Sequence, residues 1–440
     1  MASARYHLGI DFGTCWSKLV LRDYQSRVPT AHVVHPRTRG WFGRKEQDYR
    51  IPSGIAFDGT SLYFGYEGAT RQQEPRIRYY RSVKMRGAFP QGYFGAPIEA
   101  PQGLTDFDLC ALVVLHLIQI GWAAAKARAG IGSTPKISMT LGVPMSLIGD
   151  EATRGRFVEL ARIAWVLYRS GAPDLSRCLR VDDAKALVAA AREEVAKRGP
   201  AASWRDWVRS EAEAGVLWAF RSPTVGTGLY ACTDVGAGTT DVSFFRIGRV
   251  HDPRAGWFKG QIAFYSAVSD VPGMDAIRAE LAACRNTRDD RIEYGREDEM
   301  LRALPAASLP RLQATAERMF VVHQNAWRLA FGKEIGQSRW NDWRMFLLGG
   351  GSHVSLVAET LRQKVWPHIP PSSTVSAGVP TDLVDGSRAV SAAHAPFLLV
   401  AYGLSFPDVE VPVATGPDDV APLALDDSPR HVDQDELYPR

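Results

Sequence analysis

The chain has 440 residues, 45% of them hydrophobic and 23% charged, which suits two or three globular units of about 150 residues each and excludes a disordered or fibrous polymer. Lys and Arg number 52 against 48 Asp and Glu, a net charge of +4, too slight for the footprint of a dedicated nucleic-acid binder. Residues 406–440 hold nine acids and two bases, a net of −7, so residues 1–405 carry +11.

The N-terminal sequence MASARYHLGIDFG lacks the basic and apolar regions of a secretory signal. The five cysteines stand more than 45 residues apart with no C-x-x-C pair, which offers neither a zinc knuckle nor a redox motif; a reduced, cytoplasmic setting is expected. Residues 6–24 read as two strands, YHLGI and SKLVLRDY, around the turn DFGTCW. A Gly/Pro-punctuated region, 36–102, follows as an inserted subdomain with strand-like IPSGIAFDG and SLYFGYEG. Residues 107–128 have the length and apolar character of a buried helix; with His116 and Gln119 interrupting it, the run falls short of the ~20 apolar residues of a membrane span. A strand is predicted over 137–144, a helix over 150–168 with Asp150 as N-cap, and another over 182–198 stopped by Gly199-Pro200. This is alternating α/β order.

Residues 229–247 then repeat the opening design: an apolar run LYACT, the turn DVGAGTT, and the alternating strand DVSFFRI. The repeat predicts two related lobes facing one another across a ligand cleft. Residues 273–340 read as mostly helical, 346–365 as strand, glycine turn and helix, and PFLLVAYGLSF as the last core element. Six prolines and nine acids fill 406–440, a composition that favours disorder.

Glycine-rich turns let main-chain amides approach phosphate oxygens, because no Cβ intervenes. Two such turns face to face would clamp a triphosphate. Asp11 and Asp234, each at a strand end beside one turn, are placed to hold a hydrated Mg²⁺, which keeps most of its waters and needs few carboxylates; Gly13, Thr14, Gly236, Gly238 and Thr239 supply phosphate contacts. Singly, either turn could be ordinary Asp/Gly turn chemistry. A third turn, Gly349-Gly350-Gly351-Ser352, follows an apolar strand and opens a helix, which suits approach to a sugar or adenine base or a plain strand-to-helix connection. No G-x-x-x-x-G-K-[ST] and no protein-kinase signature is present.

The segments GIDFGTCWSK, TDVGAGTTDVS and LLGGGS, in this order, resemble the phosphate-1, phosphate-2 and adenosine signatures of the actin, heat-shock-70 and sugar-kinase superfamily. The nucleotide-binding domain of the heat-shock protein 70 family is the nearest match. RIPSGIAFDGTSLYFG followed by RSVKMRG is similar to its subdomain IB and lysine segment, ISMTLGVPMSLIGDEATRGRF and SEAEAGVLWAF to its two connecting elements, DVPGMDAI to the start of subdomain IIB and VAYGLSF to its final helix. Short motifs carry the likeness over residues 5–405. It implies an α/β, two-lobed actin-like ATPase fold with duplicated mixed-sheet lobes around a nucleotide cleft: a first lobe over 1–222 (insertions 36–102 and 170–205), a second over 223–405 (insertion 273–340), and a disordered acidic tail over 406–440.

Carried over by position, the resemblance implies Asp11 and Asp234 as carboxylates of the Mg²⁺ waters, Thr14 and Thr239 as phosphate contacts, and Gly350, Gly351 and Ser352 in the adenosine turn. Lys84 falls beside the attacking water, one of only ten lysines in the chain. Glu211 aligns with the water-positioning glutamate, although SEAEAG lacks the usual following proline, which leaves Glu213 as the alternative. Ala237 replaces a glycine, and His353-Val354 stands where an arginine commonly packs on adenine. Glu317 and Arg318 are candidate ribose or base contacts.

The implied cofactors are ATP and Mg²⁺, and the implied activity is slow in-line attack of water on the γ-phosphate, with lobe closure switching an unidentified partner protein. The 35 tail residues are too few for the family's peptide-binding half, so a self-contained chaperone is not expected. Neither is a nucleic-acid partner. An actin-like filament and a non-hydrolysing scaffold are the alternatives; a sugar kinase is the least favoured. The segment 419–426 resembles an interdomain linker able to dock as a strand, and 170–205 reads as a partner surface or a plain surface insertion.

Overall fold

The computed structural model describes residues 6–420 apart from 27, 37–48, 73, 89–99, 102, 131–133, 145–148, 222–224, 253–256, 288–296, 334–339, 341, 364–372 and 375–377. The described residues form a mixed α/β fold with three sheets.

The first sheet starts from a hairpin of Tyr6–Asp11 and Trp16–Asp23. Thr30–Val33 pairs antiparallel with the second strand, while Ile137–Val143 and then Val208–Ser210 add in parallel beyond the first. Numbered along the chain, these five strands lie in the order 5-4-1-2-3. All six residues of Tyr6–Asp11 are buried, as befits a strand covered on both faces.

The second sheet repeats that arrangement with different residues. Gly228–Val235 and Thr240–Asp252 form the hairpin, Trp257–Asp270 pairs antiparallel outside it, and Arg344–Leu348 followed by Ser373–Thr374 run parallel on the other side. The order is again 5-4-1-2-3. A small third sheet joins Ile55–Phe57, Ser61–Phe64, Arg78–Tyr80 and Leu179–Arg180.

The predicted helices appear at Asp106–Ala129, Glu151–Arg169 and Val181–Lys197. The first opens on a capping box between Thr105 and Asp108, and the second on Asp150, whose carboxylate accepts from the amides of Ala152 and Thr153. Among the described residues, Asp106–Ala129 is the one helix long and apolar enough to cross a membrane; 67% of its most apolar window is buried within the protein. Its apolar residues belong to the core around the first sheet.

Another apolar cluster lies on the outer face of the second sheet, and a further one joins the sheets, taking Val20 and Ala31 from the first, Tyr230 and Phe346 from the second, and Leu398 to Leu404 from helix Ala395–Leu404. That helix lies very close to helix Glu211–Val216: a Cβ on Gly403 would fall 1.9 Å from the carbonyl oxygen of Ala214. Only glycine permits this approach.

Residues 170–205 pack on the protein by one face: Leu179, Val181, Ala184 and Val188 are buried in the first core, while most of the segment is exposed. The tail is not disordered throughout: Val413–Thr415 pairs parallel with Gln261–Ala263 at the edge of the second sheet, and Asp408 lies 3.5 Å from Arg205. Backbone pairing and an ion pair order this stretch despite its composition. Residues 421–440, and with them most of the linker-like 419–426, lie outside the described residues.

Candidate functional site

Each hairpin closes with its aspartate at the end of the first strand. In the first, Asp11 stands opposite Lys18; in the second, Asp234 stands opposite Asp241. Directly opposed residues of an antiparallel pair project from the same face, so each hairpin presents two charged side chains beside its turn. The turns meet: a Cβ on Gly238 would lie 3.4 Å from Thr14 Cγ2, an ordinary contact distance, and Cys15 lies 3.9 Å from the Asp275 carboxylate at the start of helix Met274–Cys284.

Between the turns lies a cleft of about 1100 Å³ with its solvent-filled mouth included, large enough for a nucleotide-sized ligand. Asp11, Gly13, Thr14, Lys84, Glu211 and Asp234 line it, as do Gly236, Thr239 and Gly350. Gly238, Gly351 and Ser352 are not among its lining residues. A Cβ on Gly351 would lie 2.5 Å from Val235 Cγ1, and the Ser352 hydroxyl donates to the Gly349 carbonyl at 2.7 Å; both serve the turn itself. Gly349 is held at φ +74°, with a Cβ position 2.1 Å from Asp234 Oδ1. The turn therefore needs glycine both for its left-handed backbone and to let the carboxylate lie against it.

The cleft holds three cation–acid pairs, one of them Arg278 with Glu297 at 3.5 Å, and an excess of acid. Lys18 Nζ donates to Asp11 Oδ2 at 2.9 Å, and Lys84 Nζ donates to Glu211 Oε1 at 2.7 Å. Burial works against the charge on both lysines, but Asp11, helped by Asp234 and Glu211, holds the Lys18 pKa above its ordinary value, and Glu211 and Asp11 do the same for Lys84. Burial pushes the Glu211 carboxyl up, with Lys84 pulling against it. Asp234 has no such cation paired with it among the described residues: burial, with Asp241, Asp11 and Glu211 adding repulsion and Lys18 opposing, pushes it up to about 7. Burial also raises Asp241, against hydrogen bonds from Ser269 and Thr239.

Glu211 and Glu213 part company here. Glu211 heads helix Glu211–Val216 at the cleft wall. Glu213, two residues on, is buried outside the lining, 3.7 Å from Arg205. Glu317 and Arg318 also lie outside the lining; Arg318 donates to Thr315 on its own helix. Arg278, Glu297 and Asp298 line the cleft instead. Thr239 lines it too, but its hydroxyl donates to Asp241 Oδ2 at 2.8 Å, so that hydroxyl orients a carboxylate.

Sequence reasoning missed Lys18, Asp241, Arg278 and Phe397. Hairpin register could have found the first two, since in both hairpins the partner is the seventh residue after the aspartate. No local signal marks Phe397 on its uniformly apolar helix.

Among the described residues, no group of three or more His, Cys, Asp or Glu is disposed to hold a metal ion. The donors suit a hydrated cation better than a bare one: Asp234 and Asp241 oppose each other at the cleft wall, and Asp241 Oδ1 is buried with no hydrogen-bond partner among the described residues. Such oxygens fit Mg²⁺, which retains waters and takes few direct carboxylates. No family model matches this chain, and no curated protein matches it.

Proposed function

We propose that the chain is a two-lobed ATPase of the actin and heat-shock-70 type, cytoplasmic, which binds ATP with Mg²⁺ between its hairpins, hydrolyses it slowly and uses lobe closure to switch a partner protein. The observation that carries this reading is the duplicated 5-4-1-2-3 strand order, with Asp11 and Asp234 at equivalent strand ends on one cleft. A duplicated sheet with a phosphate-sized turn on each copy has its ligand site where the copies meet.

In this reading the triphosphate lies between the turns at Gly13-Thr14 and Gly236-Thr239, with Lys18 contributing positive charge from the first hairpin. Asp11, Asp234 and Asp241 would hold Mg²⁺ through its waters rather than by direct ligation, and the ion would supply charge that offsets the phosphates. Glu211 orients the attacking water and accepts its hydrogen bond. Lys84, bonded to Glu211 at 2.7 Å, fixes that carboxylate and faces the negative charge that spreads over the transferring phosphoryl group. Positioning dominates in such chemistry, so turnover limited by opening and closing of the lobes is expected.

The test is phosphate release from MgATP over a wide range of protein concentration, together with ATP binding by calorimetry. The expected result is Mg²⁺-dependent binding and turnover below about 1 per second, the low end for ordinary enzymes, flat per molecule. A rise above a threshold concentration would transfer the fold to the filament-forming reading, and no ATP binding at millimolar nucleotide would overturn the proposal.

A further inference from the structure

Lys84 stands on the six-residue helix Val83–Ala88. So short a helix has few internal hydrogen bonds, and its place is set by what it touches. Upstream, Arg81 and Ser82 join it to Arg78–Tyr80, one edge of the third sheet. Ser82 has φ +53°, a left-handed backbone that a residue other than glycine keeps only where its surroundings impose it. Downstream, the helix rests on the start of helix Asp106–Ala129, where the Cys110 thiol donates to the Val83 carbonyl at 3.1 Å. Arg156, from helix Glu151–Arg169, donates to the Gly87 carbonyl at 2.7 Å.

The segment 170–198 reaches the Lys84 helix along both routes. Leu179–Arg180 forms the opposite edge of the third sheet, pairing with Ser61 and Leu62, and the Val181 amide donates to the Thr60 carbonyl at 2.9 Å. The sheet then runs through Ser61–Phe64 and Ile55–Phe57 to Arg78–Tyr80. On the other route, Arg192 of helix Val181–Lys197 donates to Asp108 Oδ1 at 2.6 Å. Asp108 is itself fixed, because its second oxygen accepts from the amide and hydroxyl of Thr105 at 2.8 and 2.7 Å. The Arg192 guanidinium lies 5.4 Å from the centre of the Phe107 ring, and the Arg156 guanidinium 5.3 Å from the same centre. Two cations therefore share one aromatic ring, and one of them holds the last turn of the Lys84 helix.

We propose that the segment 170–198 is a brace on the Lys84 helix, with Arg156 and Arg192 as positioning residues that keep the Lys84–Glu211 pair in place before any ligand arrives. The effect on hydrolysis rests on the ATPase reading of the cleft, whereas the brace itself does not. A pair fixed in advance has no reorganisation to undergo at the reacting step, and a displacement on the order of 1 Å can cost about 100-fold in rate.

The experiment uses the full chain as wild type, Arg156→Ala, Arg192→Ala and Lys84→Ala, and each arginine variant combined with Lys84→Ala. Amide hydrogen exchange is measured without nucleotide, and single-turnover hydrolysis of MgATP is measured beside the ATP dissociation constant. Arg192 is exposed on its helix, so its truncation leaves the core intact. Exchange across Val83–Ala88 should quicken by about tenfold in Arg156→Ala and about threefold in Arg192→Ala, while Glu211–Val216 keeps its wild-type rates. Hydrolysis should slow by the same factors, with the ATP constant within about twofold of wild type. In the Lys84→Ala background neither arginine change should slow it further, since residues that act through one group are not additive.

Unchanged exchange across Val83–Ala88 in both arginine variants would overturn the brace, whatever the activity. Faster exchange with unchanged hydrolysis, or with hydrolysis slowed equally when Lys84 is absent, would overturn the positioning of Lys84. Faster exchange in a chain that neither binds nor hydrolyses ATP would overturn the ATPase reading and the positioning role with it, and would leave the brace standing.

Discussion

The two hairpins share a strand order and a turn design, yet they differ in one partner. Asp11 faces Lys18 and forms a 2.9 Å ion pair; Asp234 faces Asp241, and repulsion adds to burial to push its carboxyl up to about 7. The same backbone has therefore produced a neutralised acid in one copy and a strained pair of acids in the other. Like charges held together in a partly buried cleft are costly unless something positive joins them. On the proposed reading the second hairpin takes up a cation, whereas the first carries its own in Lys18.

Removing Asp234 tests that division most severely. Asp234→Ala should abolish Mg²⁺-dependent tight binding of ATP, with a loss of about 100-fold or more in kcat/KM; wild-type kinetics from this variant would sink the assignment of the cleft. Asp234→Asn should separate function from stability. A carboxyl raised from 3.8 to about 7 keeps a proton in the folded protein that the unfolded chain has released, so the stability it lends is full below pH 4 and is lost as the pH rises through 7. Asparagine removes that loss. The variant should melt higher than wild type above pH 7 and equally at pH 4, in scans without Mg²⁺, while failing to respond to the metal.

Lys84 belongs to the balanced side of the cleft, and its loss should act on rate more than on affinity. In Lys84→Ala, hydrolysis should slow by about 100-fold while the ATP dissociation constant stays within about threefold. Unchanged hydrolysis would remove Lys84 from the mechanism. Glu211→Gln, which keeps the shape of the pair without its acid, should show the same split; an equal loss of affinity would instead mark the pair as a structural support.

Local chemistry made much of this legible in the sequence, and long-range geometry hid the remainder. The hairpins, Asp150 as a cap and helix 106–129 all declare themselves within a few residues, because turn glycines, capping side chains and apolar content act locally. For residues 170–205 only the extra length could be read, and contact with the first core shows where the apolar face of the helix Val181–Lys197 goes. The tail misled for a related reason: composition measures the drive to collapse, and says nothing of a three-residue strand that finds an open sheet edge. In the candidate site, the turn aspartates and glycines could be read directly. Nothing adjacent to Lys18 marks it out, and only register sets it against Asp11; Phe397 comes to His353 from 44 positions away, through the packing of the last helix.

Lys18→Met would make the first hairpin resemble the second. Without its cation, Asp11 should add its charge to the cleft, so ATP binding in chelator should weaken by about tenfold while binding in saturating Mg²⁺ changes less. The Mg²⁺ requirement would then be steeper than in wild type. If affinity falls equally with and without Mg²⁺, Lys18 acts as packing, and the contrast between the hairpins has no bearing on how charge is shared.

The smallest change sharpens the comparison from the other side. Asp241→Asn leaves the second hairpin its shape and its hydrogen bond from Thr239 but removes the like charge opposite Asp234. One of the groups raising Asp234 is then gone, although burial, the largest cause, remains. The acid limb of the hydrolysis profile should therefore move to lower pH by up to about one pH unit, because a neighbouring charge in a partly buried site is worth on that order. The direction carries the argument. A limb that stays in place would mean that burial alone sets the Asp234 carboxyl and that the Asp-for-Lys difference between the two hairpins is electrostatically silent; a limb that moves to higher pH would mean that the cation Asp241 helps to hold, rather than the Asp241 charge itself, governs the Asp234 carboxyl.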